Sequence, residues 1–165
     1  MTWVYVLLGI IGWAFAMVGM FFLVSRIFRL VSGWGRVEQK YGIEEPAYQP
    51  DLRGISAGFG FASAKNTMHL GLQKEGLQIT ITPLFRFFMK PVLIPWNEVG
   101  VSTWTNILGR SLRLTFSRVP GGKIDLFPKS TTQVLRYIEQ AGDKAHPDLR
   151  RIHHEYSVLL SGGRP

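Results

Sequence analysis

The sequence predicts an α+β protein, mainly antiparallel β. An N-terminal transmembrane helix precedes a curled sheet or barrel of about seven strands that a C-terminal helix caps. Three observations predict it. Residues 1–25 carry no charged side chain, although the 165-residue chain has 19 Lys+Arg and 11 Asp+Glu. From Ile55 to Leu126 apolar residues recur at a period of two, interrupted by turns rich in Gly and Pro. Val134, Leu135, Ile138 and Ala141 then return to helical spacing.

The uncharged stretch is long enough. At ~1.5 Å per residue, a helix over 1–25 more than spans a hydrocarbon core of ~30 Å. A cleaved signal peptide calls for a basic start, a shorter apolar run and a small-x-small site. Ala14-Phe15-Ala16 supplies the last of these, yet Met17 to Val24 stay apolar beyond it and no Lys or Arg comes before. The expectation is a retained span. Within it Gly9, Gly12, Ala16 and Gly19 share one helical face. Small residues let a second helix approach closely, so this face is the candidate transmembrane packing surface, for a membrane protein partner or for self-association.

Arg26, Arg29, Arg36 and Lys40 follow the span, and no basic side chain precedes it. The positive-inside bias then places the C-terminal domain in the cytoplasm, below the inner (plasma) membrane, with the N-terminus outside. The same four side chains are candidate contacts with an anionic leaflet, which a formal net charge of +8 also suits. They form no dense block and carry no recognition motif, so nucleic acid is not an expected partner. The absence of cysteine excludes disulfides and thiolate metal ligands.

In residues 26–42, Ile27, Leu30, Val31, Trp34, Val37 and Tyr41 recur at helical spacing. This segment is either a stalk that extends the span or an amphipathic helix on the membrane, with a bend at Gly33 and Gly35. Pro46 and Pro50 make residues 43–51 a linker. Residues 26–54 are therefore juxtamembrane helix plus linker, 55–142 the domain, and 143–165 a tail. In the domain, Phe59 and Phe61 alternate with Gly58 and Gly60, and Met68, Leu70 and Leu72 lead into a Glu75-Gly76 turn. Leu77, Ile79 and Ile81 follow, with Gln78, Thr80 and Thr82 on the other face. Val92–Pro95 and Val99–Trp104 are shorter runs; Leu112, Leu114 and Phe116 pair with Ile124 and Leu126 across Pro120-Gly121-Gly122. Ser130-x-x-Gln133 reads as a capping box, and Gly142 ends the helix. In the tail, Pro147 starts a short helix with Leu149, Ile152, Tyr156 and Leu159 on one face.

Seven antiparallel strands and one C-terminal amphipathic helix form the pleckstrin-homology-like order. "GLQITI", "VLIPWNEV", "LRLTF" and "TTQVLRYIEQAG" resemble pieces of bacterial PH-like and GRAM-like domains, in which an Ile-Pro-aromatic turn between strands recurs. The whole chain resembles small bacterial single-pass membrane proteins that carry such a domain in the cytoplasm, joined by a segment like Ser32-Gly33-Trp34, Tyr41 and Pro46. The resemblance implies the fold. It does not imply phosphoinositide recognition, because "ASAKNTMH" has only Lys65 where lipid-binding PH domains set several basic residues.

Between the third and fourth strands stands "PLFRFFMKP", residues 83–91. A connection that only turns uses Gly, Asn, Asp or Ser; this one uses large apolar groups. If strand pairing continues through it, the aromatic side chains are core. Otherwise Phe85, Arg86, Phe87, Phe88, Met89 and Lys90 form a membrane-surface or partner contact, with the basic heads snorkelling beside exposed rings.

The chemistry-bearing residues assemble no site. Gly58-x-Gly60-x-x-Ser63 lies within an alternating strand and is followed by no helix, unlike a dinucleotide fingerprint. Adjacent His153 and His154 point in different directions on a helix, and His69 has no evident carboxylate partner. Glu75, Glu98 and Asp125 form no acid/base pair, and Arg113, Arg118 and Lys123 read as a solvated face. The expectation is no catalytic residue, no cofactor, no metal and no small-molecule substrate. The protein reads as a membrane-anchored, non-catalytic interaction or scaffold module. An accessory or assembly subunit of a larger membrane complex is the alternative, and an unrecognised enzyme comes third.

Overall fold

The computed structural model describes residues 2–59, 62–82, 89–106, 109–142 and 147–161. Helix α1 (Thr2–Val31) is one continuous helix of 30 residues, so the helix continues beyond the uncharged run through Arg26 and Arg29. Its stretch Trp3–Ile27 is long and apolar enough to cross a membrane, and every residue from Trp3 to Met20 is exposed. All but one of the exposed large hydrophobic side chains among the described residues lie on α1; the exception is Val158.

After Val31 the chain turns. Gly33 adopts φ 72°, a left-handed backbone that any residue with a Cβ resists. The Trp34 N–H donates to Ser32 Oγ at 3.2 Å and the Arg36 N–H to the Gly33 carbonyl at 3.1 Å, which fixes the bend. Helix α2 (Trp34–Tyr41) follows. It is neither stalk nor surface helix: Trp34, Val37 and Tyr41 are buried in the main core. The residues i, i+3 and i+7 form one helical stripe, and the protein's own sheet covers that stripe. Trp34 meets Phe59 edge to face at 5.2 Å, and Tyr41 meets Phe116 at 6.4 Å.

The sheet has seven antiparallel strands: β1 (Leu52–Phe59), β2 (Ala62–Leu72), β3 (Leu77–Ile81), β4 (Val92–Ile94), β5 (Val99–Asn106), β6 (Gly109–Phe116) and β7 (Lys123–Leu126). Their spatial order is β4-β3-β2-β1-β7-β6-β5. β4 and β5 are thus the two edges, yet only a short 3-10 turn around Trp96–Glu98 joins them in sequence. Five extended residue steps reach at most about 18 Å. Seven flat strands about 4.8 Å apart would put the outer two about 29 Å apart. The sheet must curl, and it forms a half-barrel. At the β2–β3 turn Gly76 is required, because a Cβ there would collide with the Ile94 carbonyl.

Helix α2 and the linker close the open side of the curl. Gly42 bridges to Val92 on the β4 edge, and the Ile43 N–H donates to the Pro91 carbonyl at 2.9 Å. The linker then covers the face of β3 that the alternating pattern assigned to solvent. Gln78 is fully buried; its amide accepts from the Tyr48 N–H at 3.0 Å and donates to the Tyr48 carbonyl at 2.8 Å, imitating a ladder pair. Thr80 is buried as well. Asp51 accepts from the Leu72 N–H at 2.6 Å, from Gln73 Nε2 at 3.0 Å and from Tyr137 Oη at 3.0 Å, tying the linker to β2 and to the helix that follows the sheet.

That helix, α3 (Pro128–Ala141), starts with Pro in its first turn and has Phe127 as N-cap. The expected capping box is therefore displaced. Ser130 is buried within the first turn, and its Oγ accepts from the Ser56 N–H at 2.9 Å on β1. Thr131 Oγ1 accepts from the Leu112 N–H at 3.0 Å on β6. The two hydroxyls seat the helix across the sheet instead of capping it. Gly142 ends α3 as expected, its N–H donating to the carbonyls of Glu139 and Ile138. Helix α4 (Pro147–Ser161) belongs to the core: Leu149, Ile152 and Tyr156 are buried, and Arg151 Nη2 donates to the carbonyls of Trp96 and Val99 at 3.2 and 3.1 Å.

Trp34 is the residue on which the joint between α1 and the sheet turns. Trp34→Ala is expected to cost about 3–5 kcal/mol, as truncation of a buried tryptophan does. Trp13→Ala, on the exposed face of α1, is expected to leave unfolding of the sheet unchanged. Chemical denaturation of the purified full chain, followed by fluorescence of the remaining tryptophans, checks both.

Candidate functional site

Gly9, Gly12, Ala16 and Gly19, the candidate packing residues, all lie on α1. Gly9, Gly12 and Gly19 have no other part of the chain near the position of a Cβ, and Ala16 is exposed among them. Every side chain described on this helix from Trp3 to Met20 faces outward.

The four basic residues beyond it divide. Arg26 and Lys40 are exposed. Arg29 Nη2 pairs with Glu38 Oε1 at 2.9 Å, bracing α1 against α2 across the bend. Arg36 folds back over Gly33 and reaches the Pro120 carbonyl at 3.5 Å, in the turn between β6 and β7. Two of the expected leaflet contacts thus also hold the elbow.

Of the 83–91 connection, Phe85, Arg86, Phe87 and Phe88 lie outside the described residues. Met89 is a correction to the surface reading: it is buried in the main core, where the chain approaches β4. Lys90 is exposed and pairs with Glu44 of the linker.

Several polar groups read from sequence as solitary are partnered in the fold. Glu98 is buried, accepts from Tyr41 Oη at 2.6 Å and pairs with Arg118 Nη2 at 2.7 Å. This trio connects α2 to the 3-10 turn and to the end of β6. Burial, and then the Glu98 carboxylate, push the Tyr41 hydroxyl above its ordinary value. Arg113 and Asp125 sit directly opposite on β6 and β7, and the guanidinium grips the buried carboxylate through two nitrogens. Trp104 lies 5.9 Å from the same guanidinium. Each arrangement engages its polar atoms in joining elements.

His69 is half-buried on β2, and its Nδ1 accepts from the Gly54 N–H at 3.3 Å. Burial first, and the nearby Arg53 charge second, hold its pKa below the ordinary value of 6.5. His153 Nε2 lies 3.2 Å from Glu139 Oε1, between α4 and α3. Among the described residues no group of three or more His, Cys, Asp or Glu could hold a metal ion.

Two depressions mark the surface. One, of about 460 Å³, lies at the start of α3, between Lys65, Asn66 and Lys129. The other, of about 270 Å³, lies beneath the bend between α1 and α2. Compared with protein-family profiles, curated proteins and solved structures, the chain gives no match.

The acid response follows from His69. Its depressed pKa means that the unfolded chain takes up a proton, near pH 6.5, before the folded chain does. Stability from this group is present above that pH and is lost as pH falls through the folded pKa. Thermal unfolding measured across pH should show the decline, and His69→Gln, which keeps an acceptor for Gly54, should flatten it.

Proposed function

We propose that the protein is a single-pass membrane protein whose PH-like domain acts on the cytoplasmic face as a non-catalytic interaction or scaffold module. One observation carries this reading: α1 is uncharged over its first 24 described residues and leaves every residue from Trp3 to Met20 exposed. Each large apolar side chain removed from water contributes roughly 1.5–3 kcal/mol, so a helix with this surface is matched by a hydrocarbon surrounding. The order of seven antiparallel strands followed by a helix supports the PH-like reading. The cytoplasmic orientation rests on Arg26, Arg29, Arg36 and Lys40 at one end of the span.

The scaffold role rests on how the buried polar groups are used. Glu98, Asp125 and Gln78 are each engaged in contacts that join α2, the linker and the strands. A rigid domain fixed to a helix presents its surfaces at a constant height above the bilayer, and the tether supplies the effective concentration that weak contacts need.

The small-residue face supports the alternative, an accessory subunit held in a larger complex through α1. Close helix approach at Gly12 and Ala16 depends on the absence of larger side chains. Gly12→Leu with Ala16→Leu is therefore expected to abolish co-purification of partners only if α1 is the interface. Retention of every partner assigns association to the domain.

Alkaline extraction of native membranes tests the anchor, and reporter fusions at Pro165 test the orientation. The full-length chain is expected to stay in the membrane pellet, with the fusion active on the cytoplasmic side. A chain released into the soluble fraction, or shortened by loss of its first residues, overturns the anchor. A fusion active only on the outer side overturns the orientation.

A further inference from the structure

The depression beneath the α1–α2 bend joins basic and aromatic residues. Its floor and walls include Trp34, Phe59, Phe116 and Val119, and its rim carries Arg36 and Lys123. Among the described residues no Asp or Glu lines it. Arg36 comes from the first turn of α2 and Lys123 from the start of β7, so two separate elements bring positive charge to one opening. Neither cation has a carboxylate partner among the described residues, whereas Arg29, Arg113 and Arg118 each have one.

A second observation concerns Trp34, which lines the cavity. Trp34 is 1% exposed, and its indole Nε1–H has no hydrogen-bond acceptor among the described residues. An unpaired buried donor is costly; this one belongs to a residue that lines the cavity, and the nitrogen itself is buried. Trp96 shows the ordinary arrangement, with Nε1 donating to the Gln73 carbonyl at 2.7 Å. The cavity therefore combines two cations with an aromatic and aliphatic wall.

Its position selects among anions. Ser32, Gly33 and Trp34 line it, and they are the residues that follow directly on the last turn of α1. We propose that this cavity receives the phosphate headgroup of an anionic phospholipid from the leaflet at which α1 ends. The inference rests on the reading of α1 as a membrane span. Arg36 and Lys123 take the phosphate, charge-assisted bonds from them being the strong ones, and the apolar wall takes the glycerol and the first acyl carbons. Such a lipid locks the elbow, since it touches α2 and β7 together. A free phosphate offers the same charge but leaves the aromatic wall without an occupant.

The test uses the full chain reconstituted in phosphatidylcholine nanodiscs with and without phosphatidylglycerol. Native mass spectrometry after release into detergent counts the retained lipid. Wild-type protein is expected to keep phosphatidylglycerol in preference to phosphatidylcholine. Arg36→Gln with Lys123→Gln is expected to lower that retention about thirtyfold, roughly fivefold for each cation at an anionic surface. Lys65→Gln with Lys129→Gln removes the same charge from exposed positions at the other depression and is expected to change it little. Equal loss in the two double variants, or no lipid preference in wild type, overturns the proposal while leaving the membrane anchor intact. Failure of the wild-type chain to insert into nanodiscs overturns the anchor, and this inference with it. Displacement of the lipid by inorganic phosphate added in detergent assigns the cavity to a soluble phosphate ligand and overturns the lipid assignment.

Discussion

The burial of Trp34 is the contact on which the rest of the structure depends. Gly33 can take the left-handed backbone that ends α1 and starts α2, and that turn delivers the indole to the core beside Phe59. Without the turn, the helical periodicity of residues 26–42 would carry Trp34, Val37 and Tyr41 away from the sheet along a continuing α1. With it, the three side chains fill the open side of a curled sheet that seven strands alone leave unclosed. The apolar helix and the domain are thereby joined through a packed core, and the joint is stiffer than a flexible linker.

The polar network follows from the same geometry. Once α2 lies against β4, Tyr41 reaches Glu98, and Glu98 holds Arg118 at the opposite end of the sheet. A buried carboxylate is costly unless it is paired and hydrogen-bonded, and here both partners come from other elements. The linker does the same at Gln78, whose amide substitutes for a neighbouring strand over residues that two prolines keep out of regular structure. These contacts specify where α2 and the linker sit. That placement suits the proposed scaffold role, in which the direction of the domain's surfaces is set at the joint.

Much of the fold was legible in the sequence, and the failures have physical causes. The uncharged run, the period-two strands with their turns and the helix ending at Gly142 are local patterns, and local patterns survive folding. The alternation in β3 misled because burial of Gln78 is decided by a linker thirty residues away in sequence. Ser130 misled for a related reason. Its hydroxyl suits an N-cap, but Pro128 starts the helix earlier and frees the hydroxyl for β1. The tail and α2 looked peripheral because an amphipathic helix shows the same stripe whether lipid, a partner or its own sheet covers it. Met89 belongs to the core, where composition alone suggested a surface foot. The paired Arg113 and Asp125 were visible only once strand register was known, since each sits on the face that the pattern leaves polar. The cavity beneath the bend had no sequence signature, because its wall is assembled from α2, β1, β6 and β7.

The central claim is that α2 is part of the domain core and makes one cooperative unit with the sheet. Hydrogen–deuterium exchange of the full chain in a bilayer measures it directly. Backbone amides in the last turn of α2 should be protected to within about tenfold of those in β1 and β6, because one opening event exposes them all. Exchange in α2 faster by several orders of magnitude, with β1 and β6 still protected, would show a separately opening hinge and contradict the account.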